Sequence, residues 1–441
     1  MRQLFLSFLL VGTLTAGAQS TTASQVARIS TDDAVERPLF KTFPGEIPYR
    51  IPAIAVNRRG ELIAVSDYRP CGGDIGFGKV DLRYRISDNN GATWSRQYVL
   101  AEGDGVKGSK TCGYGDAAIA ADRGSDEAVV VCVTGNTVYG SGSTTRKNPN
   151  RVAVLHSTDG GHHWGRPVDI TEQIYALFDQ SRLGPVDALF FGSGRICQSR
   201  LIRVGHYYRL YAALCARPGG NRVVYSDDLG RTWQALGDIH TSPAPNGDEP
   251  KVEELPNGDV LLSSRVSGGR LFNIFHYLSE RNATGAWELQ PVLSQKENGG
   301  IKALQNSTNG EILLVDARDN ATHRPVRLAL QSVPLGPGRA NVGIYYKALP
   351  TNKRRAAEWE HYTAKDFATG WGGPLKVTTL GSAYSTMVQQ TDGRIAFFYE
   401  EETYGKGACY TNMYVPLTLE RITDGKFSAL HTQLPPKAKR R

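Results

Sequence analysis

Past its first 18 residues, this 441-residue sequence has no hydrophobic run long enough to cross a bilayer as a helix, which takes ~20 apolar residues. No stable membrane anchor is therefore expected of the mature chain. Linkers are missing too: no Pro/Ser-rich stretch or shift of composition divides the sequence, so it reads as one large domain. The nine histidines fall in no H-E-x-x-H or other ligand spacing, and the six cysteines form no paired C-x-x-C. No metal site follows, and nothing calls for a cofactor. The net charge of +8 has no aromatic-interleaved basic stripe behind it. That argues against nucleic acid and leaves long-range attraction of anionic partners. Helical periodicity is scarce, and the one short candidate runs from about Thr171 to Phe178.

What is present begins with an export signal. Met1-Arg2-Gln3 is cationic, Leu4 to Thr13 is largely apolar, and Ala16-Gly17-Ala18 has the small residues that precede signal cleavage. Residues 1–18 read as a signal peptide, which sends the protein to the periplasm, the cell surface or the medium. No cysteine follows the cleavage point, so a lipid anchor there is not expected. Residues 19–39 read as an extension, 40–420 as the folded domain and 421–441 as a basic tail. The six cysteines (Cys71, Cys112, Cys132, Cys197, Cys215, Cys409) allow 15 disulfide connectivities or free buried thiols, and sequence does not choose.

Glycine is abundant, at 48 residues, and strand-like runs end repeatedly in Gly, Asn or Asp turns. One turn recurs. Ser87-Asp88-Asn89-Asn90-Gly91-Ala92-Thr93-Trp94 is followed by Ser157-Thr158-Asp159-Gly160-Gly161-His162-His163-Trp164 and Ser226-Asp227-Asp228-Leu229-Gly230-Arg231-Thr232-Trp233. The starts are 70 and 69 residues apart, with weaker echoes at Ser279 to Trp287 and Ser332 to Gly336. In each, Ser and Asx side chains can bond the backbone, Gly supplies positive φ, and Trp plugs the turn. Repetition at blade-sized intervals marks an all-β propeller or array, with these boxes in its hairpin turns.

The boxes resemble the Asp-boxes of the sialidase superfamily. Tyr49-Arg50-Ile51-Pro52, upstream of the first box, resembles that family's more discriminating R-I-P signature. The likeness spans about residues 40–415 and implies an all-β, six-bladed β-propeller that is a retaining exo-α-sialidase acting on sialylated glycoconjugates. It also implies a clamp of three arginines for the substrate carboxylate. Arg50 matches the first and Arg265, ending Val260-Leu261-Leu262-Ser263-Ser264-Arg265, the second. The third is Arg324 or Arg327, with Arg324 preferred for its distance to Ser332.

A carboxylate nucleophile would meet the substrate's own charge, costing about 4 kcal/mol at ~4 Å and an effective dielectric of ~20. Such enzymes use a neutral tyrosine instead. Tyr384 in Gly381-Ser382-Ala383-Tyr384-Ser385 resembles that nucleophile, and Glu249 in Asp248-Glu249-Pro250 its base, whereas Glu253 and Glu254 lack the following proline. Asp74, 24 residues after Arg50, matches the acid/base aspartate. Arg69 resembles a substrate-contacting arginine, Asp116 a further pocket aspartate, and Glu400 a partner that holds Arg50. Three other outcomes stay open: transfer to a sugar acceptor, intramolecular attack giving an anhydro product, and a non-catalytic sialic-acid lectin. Residues 337–373 read as a long connection that shapes the pocket rim.

Overall fold

The computed structural model describes residues 35–304 and 308–430. The expected signal peptide, most of the extension and the last eleven residues lie outside them. Among the described residues the chain folds into six sheets of four or five strands, antiparallel except where Gly194–Arg195 pairs parallel with Tyr114–Ala121, arranged as the blades of a β-propeller. The innermost strands are Tyr49–Val56 in blade 1, Tyr114–Ala121 in blade 2, Cys197–Val204 in blade 3, Pro250–Glu254 in blade 4, Ile312–Asp319 in blade 5 and Ser382–Gln389 in blade 6. Each blade then meanders outward through short turns.

Burial on both faces explains the composition of the middle strands. In blade 2, every residue of Ala128–Thr134 is buried. Val129 and Val131 pack toward blade 3 with Leu214, Val224 and Trp233. Val130 and Cys132 pack the other way, onto Ile63, Val65 and Tyr84 of blade 1. A strand sandwiched between blades has no solvent face, so its sequence runs apolar without the alternation of a half-exposed strand.

The three strong turn motifs share one bonding pattern. Gly91, Gly161 and Gly230 donate N–H to Ser87, Ser157 and Ser226 Oγ at 2.8–2.9 Å. Thr93, His163 and Thr232 donate N–H to the Oδ1 of Asn89, Asp159 and Asp228 at 2.8–2.9 Å. The echoes depart from it. Ser279 keeps only a long contact from Asn282 N–H, at 3.5 Å. Ser332 sits inside the strand Pro325–Pro334, where its Oγ accepts from Glu311 N–H and meets Ser385 Oγ.

The ring closes by pairing chain ends. Arg37–Phe40 is the outermost strand of blade 6, antiparallel to Thr411–Leu417, so the sheet begins three residues before the expected domain start. Phe427–Ala429, within the expected tail, pairs with Ile312–Asp319 in blade 5. The expected helix forms at Thr171–Ala176, joined by the short helices Ala364–Ala368 and Leu419–Ile422. Residues 337–373 are not one rim loop. They hold the blade strand Val342–Ala348 and the helix Ala364–Ala368, whose Phe367 packs edge-on to Phe272 of blade 4. Among the described residues all six cysteines are free thiols, and no helix is long and apolar enough to cross a membrane.

Candidate active site

Three innermost strands carry a β-bulge where a predicted site residue stands. Register shifts fall between Arg50 and Ala53, between Gly115 and Ala118, and between Ser382 and Ser385. An inserted residue bends its strand and re-aims the local side chains. Two bulges hold non-glycine residues at positive φ, Ile51 at 52° and Asp116 at 53°. A β-branched residue there is strained, and such strain gathers at functional sites.

The side chains so aimed meet in one cavity of about 360 Å³ at one end of the propeller channel. Arg50, Arg69, Asp74, Asp116, Glu249, Arg265 and Tyr384 all line it. Tyr384 is buried, and its phenol donates to Glu249 Oε1 at 2.5 Å. Burial, reinforced by the charge of Glu249, holds the Tyr384 pKa well above that of free tyrosine, against the pull of Arg339 and Arg265. Burial also raises Glu249, with Arg265 pulling the other way from 2.9 Å. On Arg265 itself burial disfavours the charge, but Glu249, Tyr384 and Asp248 outweigh it and raise the pKa.

Glu400, fully buried, ties blade 1 to blade 6. Its Oε1 accepts from Arg50 Nε and Ile51 N–H, both at 2.7 Å. Its Oε2 accepts from an Arg50 terminal nitrogen at 3.3 Å and from Tyr384 N–H at 3.1 Å. One carboxylate thus sets the guanidinium and the backbone of the tyrosine together. Burial works against the Arg50 charge, and Glu400 more than restores it. The Arg50 guanidinium lies 4.9 Å from the Tyr410 ring centroid, an apolar floor that fixes its plane.

Opposite charges gather on the other wall. Asp74 stands largely exposed, 3.1 Å from an Arg69 nitrogen. Arg69 also contacts Asp67 at 2.8 Å and Asp116 at 3.4 Å. Burial disfavours its charge, and these three aspartates outweigh that and raise its pKa. Asp67 is fully buried and accepts Asp116 N–H at 3.0 Å; burial lifts its carboxyl to about 6 despite Arg69. Asp116 is held well above the usual carboxylate range, first by burial and then by Asp74 and Asp67. Ile75, Val133, Val138 and Phe190 complete an apolar wall.

One predicted residue is not brought here. Arg324 lies in the turn before the strand Pro325–Pro334, where its carbonyl accepts Asp319 N–H. The cavity is at the other end of that ten-residue strand, roughly 30 Å away by strand geometry. The alternative, Arg327, pairs with Asp316 at 3.0 Å and lines the opposite end of the channel. The arginine that instead joins Arg50, Arg69 and Arg265 in the cavity is Arg339, in the turn that follows the strand, with its guanidinium 5.4 Å from the Tyr384 ring centroid. Its only sequence signal is a Gly336-Pro337-Gly338-Arg339 turn. Sequence reasoning also passed over Asp67, which supports Arg69, and Asp248, which lies 3.4 Å from Arg265 Nε. Glu253 and Glu254 lie deeper in the channel, bonded to Arg195, Arg200 and Ser199. The carbonyls of Ser193 and Arg195, just before the innermost strand of blade 3, accept from Lys251 Nζ.

No family model matches the chain. Among curated proteins it is 29% identical over 373 residues to a sialidase of Micromonospora viridifaciens, covering 82% of this chain and 51% of that one. The chain thus spans about half the length of that relative. Its fold is similar to a Hadza microbial sialidase, Hz136, with TM-score 0.63 and 19% identity over 85% of this chain and 66% of the other. A leech intramolecular trans-sialidase complexed with 2,7-anhydro-Neu5Ac gives TM-score 0.66 at 14% identity, covering 90% of this chain and 71% of the other.

Proposed function

We propose that this chain, a relative of the bacterial-type sialidases, is a retaining exo-α-sialidase that releases terminal sialic acid from glycoconjugates. The observation that carries the reading is the Tyr384–Glu249 hydrogen bond of 2.5 Å beside Arg50, Arg265 and Arg339 in one cavity. An anomeric carbon bearing a carboxylate needs a fixed cationic seat, and guanidinium forks suit it. Once seated, that carboxylate repels an anionic nucleophile but not a phenol.

The steps follow from the residues. Asp74 donates a proton to the leaving glycosidic oxygen as that C–O bond breaks. Tyr384 Oη attacks the anomeric carbon while its proton passes to Glu249, giving a covalent sialyl-tyrosine. Asp74, now a carboxylate, takes a proton from water, which displaces the tyrosine, and the proton on Glu249 returns to the phenol. Two displacements give net retention. Arg69 holds Asp74 near the departing oxygen, and Glu400 keeps Arg50 and Tyr384 in register.

Release of 4-methylumbelliferone from its α-sialoside tests the reading. The purified chain is expected to turn the substrate over, and Tyr384→Phe to lose that activity while remaining folded. Near-normal turnover by Tyr384→Phe would overturn the mechanism. Intact sialoside binding without turnover in the unmodified chain would make the site a lectin's. Free sialic acid as product supports hydrolysis, whereas an anhydro sugar or a sialylated acceptor assigns transfer at the same intermediate.

A further inference from the structure

The end of the channel away from the candidate active site opens into a second cavity of about 270 Å³. Arg123, Arg195, Arg200 and Arg327 line it, and Asp316 is the one carboxylate among its lining residues. Part of this charge is balanced from behind. Glu253, fully buried, accepts from Arg195 at 2.6 Å and from Arg200 at 3.1 Å. Asp316 pairs with Arg327 at 3.0 Å.

Buried Glu254 also offsets the charge of Arg123, Arg200 and Arg327, and Glu311 lies 3.9 Å from Arg195, but the bonding of the guanidiniums is incomplete. Arg123 has no ion pair among the described residues; its guanidinium lies 4.2 Å from the Tyr208 ring centroid, at the cavity mouth. The Nε–H groups of Arg195 and Arg327 are buried without a hydrogen-bond partner among the described residues. Burial and the positive charge of Arg200 both push the Arg327 pKa down. Buried donors left unmade are costly, and like charges sharing a poorly screened cavity repel. A small anion answers both defects at once, and guanidinium forks fit the paired oxygens of phosphate or sulfate.

We propose that this channel mouth is a second, non-catalytic site that binds a tetrahedral oxyanion, phosphate or sulfate, free or carried on a larger molecule. Its ligands come from blades on both sides of the channel: Arg123 follows the first strand of blade 2, Arg195 pairs with that strand, Arg200 lies in the innermost strand of blade 3, and Arg327 belongs to blade 5. A bound anion would therefore cross-link the ring and raise its thermal stability by mass action.

Calorimetric titration of the purified chain with inorganic phosphate, against chloride at matched ionic strength, tests the site. The candidate active site, lined by Arg50, Arg69, Arg265 and Arg339, also suits an anion, so Arg265→Met is the control. One saturable site is expected, weakened about tenfold or more in Arg123→Met and in Arg327→Met but unchanged in Arg265→Met. Phosphate should raise the melting temperature of the unmodified chain and not of the first two variants. Turnover of the aryl sialoside should be unchanged in Arg123→Met. Absence of saturable heat overturns the proposal, and so does binding lost only in Arg265→Met. Tighter binding of galactose 6-sulfate than of inorganic sulfate assigns the group to a larger molecule, and the reverse assigns a free anion.

Discussion

Tyr384 resists ionisation: burial and the charge of Glu249 both raise its pKa, so in the proposed mechanism the phenol attacks only as its proton leaves for Glu249. Glu249 must be ionised for that, and burial lifts its own pKa above the ordinary glutamate value. The acid limb of kcat/KM therefore lies at higher pH than a solvated glutamate would give. Arg265 favours the charged carboxylate, so Arg265→Met should move this limb to still higher pH; a limb that stays put contradicts Glu249 as the base. Asp74 matters in proportion to how poor the leaving group is. Asp74→Ala should cost roughly 10²–10⁴-fold on a sialylated sugar and less on the aryl sialoside, measured as kcat/KM. Equal losses on both would remove Asp74 from the acid role. Arg339→Met should lower kcat/KM by about 2–5 kcal/mol, as for a truncated charge pair, while Arg324→Ala should change it by less than about 0.5 kcal/mol. Arg324 and Arg339 also show where residue-level reading stopped. Both flank the same strand, and chain distance alone does not say which end of a strand faces a cavity. Arg50, Glu249 and Tyr384 were legible because their neighbours are distinctive, whereas Arg339 sits in a generic turn.

At the level of single elements, the repeated turns act between blades as well as within them. Gly91, at φ 78°, lies so close to Tyr414 of blade 6 that an added Cβ would sit 2.1 Å from the tyrosine oxygen. Asn90 carbonyl accepts from that same hydroxyl at 3.0 Å. Gly91→Ala should therefore destabilise by more than about 2 kcal/mol, read by urea unfolding, without changing turnover per folded molecule. Blade 4 carries a pH-dependent tie. Hydrogen bonds donated to Asp259 first, then to Glu288, raise His276 to about 9. A folded-state pKa above the unfolded one gives stability that is full below about pH 6.5 and lost as pH rises through 9. Solvent screens this part-exposed site, so the expected effect is a modest fall in melting temperature between pH 6.5 and 9 that His276→Gln abolishes. The strong turn motifs were plain in sequence because Ser, Asx, Gly and Trp each do one job there. Bulges were not: the residues at Ile51 and Asp116 carry no local mark of positive φ, which tertiary packing imposes.

On the scale of the whole molecule, six sheets converge on one channel, with a cavity of opposite character at each end. The candidate active site mixes four arginines with four carboxylates, whereas the charged residues lining the far mouth are four arginines and one aspartate. The propeller architecture was legible from turn spacing, and the closure was not. Arg37–Phe40 has no pattern that marks it as a strand of the last blade, because its partner Thr411–Leu417 lies at the other end of the chain. The reading as a whole rests on a covalent bond to one oxygen. Intact-protein mass spectrometry after incubation with 2,3-difluorosialic acid, followed by peptide mapping, measures that bond directly. A single sialyl adduct on Tyr384, absent from Tyr384→Phe, is the expected result. No adduct on a chain that turns over sialosides, or an adduct on Glu249 or Asp74, would contradict it.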